Sequence, residues 1–214
     1  MQGLTTHDLA CIRGERAVFA GLNIAVNPGR ALLLSGANGS GKSSLLRVLA
    51  GLLPAAEGRI EWEGTDIAED PDAHRARVAY VGHMDPLKLS MTATENLAFW
   101  ARLYGMEPET EAALHQFSIA ALGDVPARYL SAGQKRRLNL ARLAIGQNSP
   151  AGPSLWLLDE PATGLDPGAV SMLANSILAH LSSEGVAIVS THGGRLDELL
   201  DGHADRFSIS AGAP

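Results

Sequence analysis

Gly36-Ala-Asn-Gly-Ser-Gly41-Lys42-Ser43 is the stretch on which the reading of this chain turns. Two glycines bracket four residues, and the second is followed by a lysine and a hydroxyl residue, without a mismatch to the phosphate-binding-loop pattern. In front of it Ala31 to Leu34 reads as a buried strand. Behind it Lys42 to Ala50 begins a helix whose apolar residues at 45, 46, 49, 52 and 53 share one face. Gly51 lies inside that spacing and leaves the helix end open by a turn. A glycine-rich turn between strand and helix lets backbone amides curl around an anion, and the helix N-terminus adds partial positive charge. Lys42 would add a mobile charge for the β and γ phosphates, and Ser43 a hydroxyl for Mg²⁺. Gly36, Ala37, Asn38, Gly39, Ser40, Gly41, Lys42, Ser43 and Ser44 are therefore candidate phosphate contacts.

The second informative stretch, Leu155-Trp-Leu-Leu158-Asp159-Glu160-Pro161, ends four apolar residues in two carboxylates, 117 residues after Lys42. Beside a phosphate loop, Asp159 would complete a Mg²⁺ shell through water and Glu160 would polarise an attacking water. Adjacent residues at a strand end point in different directions, which suits two different tasks.

Around these two stretches the chain alternates strands and helices. Ala17 to Val26, Arg59 to Gly64, Arg77 to Val81 and Val186 to Val189 read as strands, and Gly168 to Leu181 as a helix, which implies a parallel sheet. From about 86 to 146 the pattern is helical, an insertion. Thr92 and Glu95 have capping-box spacing, followed by Leu97, Trp100, Ala101 and Tyr104 on one face, with Phe99 and Leu103 widening it. That aromatic cluster fits an ordinary core helix or a docking face. A further helix after Leu130-Ser-Ala-Gly-Gln134 carries Leu138, Ala141, Ala144 and Ile145 on one face. It opens with Lys135-Arg-Arg137, cations that oppose the helix dipole, as a solvated basic turn or as a phosphate-docking turn. Gly202 to Pro214 reads as a simple tail.

At 214 residues with 46% hydrophobic content, the chain is expected to be one domain with a small inserted subdomain. Seventeen Lys and Arg against twenty-three Asp and Glu give a net charge of −6, which disfavours nucleic acid as a partner. The single cysteine, Cys11, and the opening Met1-Gln2-Gly3, unlike a secretion signal, suggest a reducing, cytoplasmic setting. Apolar runs only a few residues long predict no membrane span. The histidines show no metal-ligand spacing.

Five stretches in this order resemble the nucleotide-binding subunits of ATP-binding-cassette (ABC) transporters, from about Leu4 to Asp197. The phosphate loop resembles Walker A, Leu130 to Gln134 the signature, and Leu155 to Glu160 Walker B. Thr163-Gly-Leu-Asp166 resembles the D-loop, and His192, 32 residues after Glu160, the switch histidine. The resemblance implies an α/β P-loop NTPase of the ABC ATPase fold, with an N-terminal antiparallel β subdomain and an inserted α-helical subdomain. It implies ATP and Mg²⁺ as ligands and a head-to-tail homodimer, with Ser131, Gly133, Gln134 and Asp166 acting across the interface. Glu160 would be the general base, and His192 would contact the γ-phosphate.

Two positions depart from the family pattern. His83 or Met84 stands where the Q-loop glutamine is usual, and imidazole could take over its hydrogen bonding where a thioether could not. No adenine-stacking aromatic lies in Cys11 to Arg16, where Arg13 could stack its guanidinium plane on the base or simply be solvated. Within the family, Val81-Gly-His83, Thr92 to Leu97 and the Ala132 variant of the signature resemble the ATPases of cytochrome c biogenesis, classed as haem exporters. That implies a CcmB-like membrane subunit, peripheral attachment at the cytoplasmic face of the bacterial inner membrane, and docking through Leu87 to Tyr104. A transporter of another substrate, lipid, drug or metal complex, is the alternative. An ATP clamp without turnover is motivated by the missing glutamine, and Glu160 and His192 speak against it.

Overall fold

The computed structural model describes residues 3–106, 109–147, 149 and 152–210. Two sheets form the frame. The first is antiparallel: β1 (Leu4–Arg13), β2 (Arg16–Leu22) and β3 (Ala25–Val26) precede the phosphate loop, and β5 (Glu57–Trp62) with β6 (Thr65–Asp66) follow it. The order is β2-β1-β5-β6, with β3 also on β1. The second sheet is parallel throughout. It sets β4 (Ala31–Ser35), β7 (Val78–Val81), β8 (Leu155–Asp159), β9 (Val186–Ser190) and β10 (Ala204–Ser208) in the order β10-β4-β9-β8-β7.

The unbroken apolar runs of β4, β8 and β9 follow from burial on both faces. Leu33, Trp156, Leu158, Ala187 and Val189 face one core, shared with the helices between β7 and β8 and with α6 (Pro167–Ser182). Leu32, Leu34, Leu155, Leu157, Val186 and Ile188 face the other, shared with α1 (Lys42–Leu49) and the antiparallel sheet. The leucine, isoleucine and valine side chains among them each contribute roughly 1.5–3 kcal/mol when fully buried.

Helix α1 ends at Leu49. Leu52 N–H donates to Arg47 O at 2.9 Å and Gly51 to Val48 O at 3.0 Å, a Schellman closure that needs the positive φ of 67° at Gly51. Leu52 therefore leaves the predicted helix face and is 59% exposed. After the short α2 (Pro71–Ala76), the segment between β7 and β8 holds α3 (Ala93–Leu103), α4 (Thr110–Gln116) and α5 (Ala132–Ala141), with 3-10 turns between and after them. The capping box at Thr92 forms as spaced, Thr92 Oγ1 accepting from Glu95 N and Glu95 Oε2 from Thr92 N. Helix α5 is shorter than predicted: the chain tightens to a 3-10 turn over Arg142–Ala144, and Ile145 is extended though buried.

The predicted tail is corrected by the structure. Ala204–Ser208 pairs in parallel with Ala31–Ser35 along its full length, after α7 (Arg195–Leu199). Its side chains, exposed but for the half-buried Ala204 and Phe207, carry too few apolar residues to announce a strand; the otherwise unpaired edge of β4 makes it one.

Candidate active site

The C-terminal ends of β4, β8 and β9 bring three loops together, the place where open parallel sheets carry their ligands. Gly41, at the N-cap of α1, has φ 105°, and a Cβ there would lie 2.7 Å from Val18 Cγ1. A Cβ on Gly36 would lie 2.5 Å from Ile209 O and 2.6 Å from Ser40 Oγ. The loop thus closes only with glycine at both positions. Lys42 is buried and its ammonium donates to Gly36 O at 2.8 Å and Ala37 O at 3.3 Å, holding the loop curled. Asn38, Gly39, Gly41, Lys42, Ser43 and Ser44 line a cleft of about 360 Å³ together with Arg13, Val18 and Glu160. Gly36, Ala37 and the buried Ser40 close the loop without lining that cleft.

Asp159 ends β8 opposite Ser190 of β9. The Ser190 hydroxyl donates to Asp159 Oδ1 at 2.7 Å and accepts from Glu160 N at 2.8 Å, so one side chain fixes the carboxylate of one acid and the backbone of the next. Glu160 has φ 46°, an uncommon conformation for a non-glycine residue and one that turns its side chain away from the strand. His192 Nε2 donates to Glu160 Oε1 at 2.8 Å. Thr191 Oγ1 supports the histidine's loop, donating to Asp197 Oδ1 at 2.6 Å and accepting from Gly193 N at 3.0 Å. Glu160 lines both the phosphate cleft and the smaller hollow formed with Thr163, Thr191 and His192.

The donor set fits Mg²⁺. Among the described residues no group of three or more His, Cys, Asp or Glu could hold an ion. An exposed Ser43 hydroxyl at the loop and one buried carboxylate at Asp159 suit a cation that keeps several waters and takes the rest of its shell from phosphate.

The other sequence-predicted residues lie elsewhere. Ser131 N-caps α5, its Oγ accepting from Gln134 N at 3.3 Å while Gln134 Oε1 accepts from Ser131 N at 2.8 Å. Asp166 caps α6 by accepting from Ala169 N at 2.8 Å. Neither these two nor Gly133 lines the phosphate cleft. His83 lines a separate groove of about 960 Å³ with Met84, Tyr80, Trp100, Leu103, Tyr104 and the arginines 47, 75 and 142, and Met84 beside it is 83% exposed.

Three residues escaped the sequence reading. Ser190 was passed over for His192, although the strand register that sets it against Asp159 follows from aligning two apolar runs. Arg136 looked like one cation of a basic turn, yet it is 5% exposed and fully hydrogen-bonded to backbone and to Asp85, so it is no phosphate dock. Arg142 is buried with its guanidinium 4.5 Å from the Trp100 ring, and desolvation pulls its pKa down to about 10.

Residues 19–163 match the ABC transporter family. The cytochrome c biogenesis ATP-binding export protein CcmA of Rhodospirillum rubrum is 53% identical over 86% of this chain and 78% of its own length. CcmA of Paramagnetospirillum magneticum is 47% identical over 97% of this chain and 96% of its own length. Among solved structures, an ATP-binding subunit of an ABC transporter superposes with a TM-score of 0.83 at 24% identity, over 97% of this chain and 86% of that one. An ABC transporter's ATP-binding cassette in its ADP conformation gives 0.78 at 25% identity, over 98% and 88%.

Proposed function

This chain belongs to the ABC transporter family, and within it to the CcmA cytochrome c biogenesis ATP-binding proteins; from that premise we propose that its ATP turnover drives haem export or haem-chaperone maturation through a membrane partner. It has the ABC ATPase fold and is an ABC-type ATPase. The observation that carries the chemistry is Glu160, whose carboxylate stands at the junction of the phosphate cleft and the His192 hollow.

In this reading the phosphates of ATP replace the carbonyls now held by Lys42, and α1 presents its N-terminus to them. Ser43 and Asp159 hold Mg²⁺, which neutralises charge on the phosphates when bound. Glu160 takes the proton of the attacking water, and His192 orients Glu160 and reaches the γ-phosphate. Arg13, at the mouth of the cleft, stacks on the adenine. His83 stands in for the Q-loop glutamine.

Ser131, Gly133, Gln134 and Asp166 act on the nucleotide of a second copy in a head-to-tail homodimer. Support comes from the site's division: these residues lie off the cleft, and a Cβ on Gly133 would meet nothing closer than Gly164 O at 3.9 Å. Packing within the chain gives no reason for that glycine; a phosphate arriving from outside gives one.

Among the described residues no helix is long and apolar enough to cross a membrane. Attachment at the cytoplasmic face of the inner membrane would then run through a CcmB-like subunit seated in the groove beside His83. Its wall is apolar and aromatic, exposes Leu52 and Leu103, and carries three arginines and no carboxylate. Such a groove suits an amphipathic helix with an acidic residue. Phe99 of α3, edge-on to Trp100, is half exposed.

The test is steady-state ATP hydrolysis by the chain purified with its membrane subunit, together with the c-type cytochrome content of cells carrying each variant. Glu160→Gln abolishes both and His83→Ala lowers both. Normal cytochrome content with an inactive ATPase sinks the biogenesis role.

A further inference from the structure

Arg136 spends every donor of its guanidinium between two loops that belong to different tasks. Nε donates to Pro161 O at 3.3 Å, and Nη2 to Glu160 O at 2.9 Å and Asp159 O at 3.5 Å. Nη1 donates to Gly82 O at 3.2 Å and to Asp85 Oδ1 at 3.0 Å. Asn139, one helical turn on, adds a bond from Nδ2 to the same Asp85 oxygen at 2.7 Å. One side of the guanidinium therefore holds the backbone of the acidic pair, and the other holds the segment whose Gly82, His83 and Met84 wall the groove. The stem belongs to α5, the helix capped by Ser131.

Five N–H groups in a fixed planar fork meet five oxygens here, and lysine, with three donors on a mobile point, cannot reproduce this. Because the guanidinium is buried, shifting the 82–85 loop without shifting the Glu160 backbone would strand donors without acceptors, which is costly. The two loops are thus constrained to move together.

We propose that Arg136 is a positioning residue that transmits occupancy of the groove to the general base, holding Glu160 where it can take a proton only while the 82–85 loop is in place. This rests on the reading of Glu160 as base and of the groove as the seat of the membrane subunit. It assigns Asp85 the role of the groove-side anchor.

The experiment uses the chain purified with its membrane subunit in lipid nanodiscs, and the same chain without that subunit. Arg136→Lys, Asp85→Ala and Glu160→Gln are compared by kcat and KM for ATP hydrolysis and by binding of a fluorescent ATP analogue. Arg136→Lys keeps analogue binding and KM within about twofold but loses roughly 10- to 100-fold in kcat, the scale of a small displacement of a catalytic group. Asp85→Ala, which removes one of the two groove-side acceptors and leaves Gly82 O, lowers the hydrolysis of the chain alone less than Arg136→Lys does and loses the stimulation by the membrane subunit. Wild-type kcat in Arg136→Lys overturns the proposal, as does a parallel loss of analogue binding and kcat, the mark of a purely structural fastener. Should Arg136→Lys fail to fold, full stimulation in Asp85→Ala overturns it alone. Unimpaired hydrolysis by Glu160→Gln overturns it too, and identifies the fault as the assignment of the base.

Discussion

The phosphate loop and the signature turn both carry glycines, and the two kinds of glycine answer to different neighbours. At Gly36 and Gly41 the positive φ and the atoms within 2.7 Å of a would-be Cβ belong to this chain. At Gly133 φ is not positive and the nearest atom is 3.9 Å away. The first loop closes within this chain and needs glycine to do so; the second turn is an ordinary capped helix start whose glycine no contact within this chain requires. In the proposed head-to-tail homodimer, folding builds one half of the site and the meeting of two copies builds the other.

The comparison can be broken in several ways. The largest effect is expected at the phosphate cleft: Glu160→Gln lowers hydrolysis by roughly 10²–10⁴-fold with ATP binding retained, since the proposed general base is removed and little shape is lost. Phosphate release and nucleotide binding, measured on the same preparation, check it. Gly41→Ala follows, with a forced left-handed alanine against Val18 costing roughly 2–4 kcal/mol and abolishing the rise in melting temperature on adding ATP.

A pH effect of similar size comes from the core beside the sheet. His180 is buried, stacks on Trp156 at 4.1 Å, donates to Val186 O at 3.2 Å, and is held down to about 4 by desolvation. The unfolded chain binds a proton near 6.5, so between the two values it is the unfolded state that gains. Stability is complete above about pH 6.5 and falls by roughly 3 kcal/mol as the pH drops through about 4. His74, buried and likewise shifted down by desolvation, acts in the same direction. Urea unfolding between pH 4 and 7 shows the slope, and His180→Phe flattens it.

Gly185 sharpens the rule about glycine, because its Cβ would lie 2.4 Å from the His180 ring, which is fixed by stacking. Gly185→Ala is expected to lose roughly 1–3 kcal/mol in unfolding measurements. Gly133→Ala is the smallest and most discriminating change. The isolated chain keeps its stability to within about 0.5 kcal/mol, while hydrolysis by the assembled complex falls. A melting temperature that drops as far as in Gly185→Ala would refute the contrast between the two kinds of glycine.

Much of the frame was legible because its pattern is local. The runs at 31–34, 155–158 and 186–189 are apolar without interruption because both faces are buried, and Thr92 with Glu95 announces a helix start through bonds between residues three apart in sequence. The end of α1 was open because a glycine within a helical pattern either continues or closes it, and the backbone chose closure. Strand β10 was illegible, since it carries too few apolar residues to announce a strand and its pairing partner lies some 170 residues earlier.

The sequence by itself determined the order of the motifs and the identities of the groups that can do chemistry: an ammonium at 42, carboxylates at 159 and 160, an imidazole at 192. These are properties of residue type and spacing, which a chain carries before it folds. Only the tertiary structure decided that Ser190 joins the two acids, that Arg136 is a buried clasp between two loops, and that Ser131 and Gly133 stand away from the cleft. Those are facts of register and burial, and a hydrogen bond between residues 24 or 54 positions apart has no signature in either residue's neighbours along the chain.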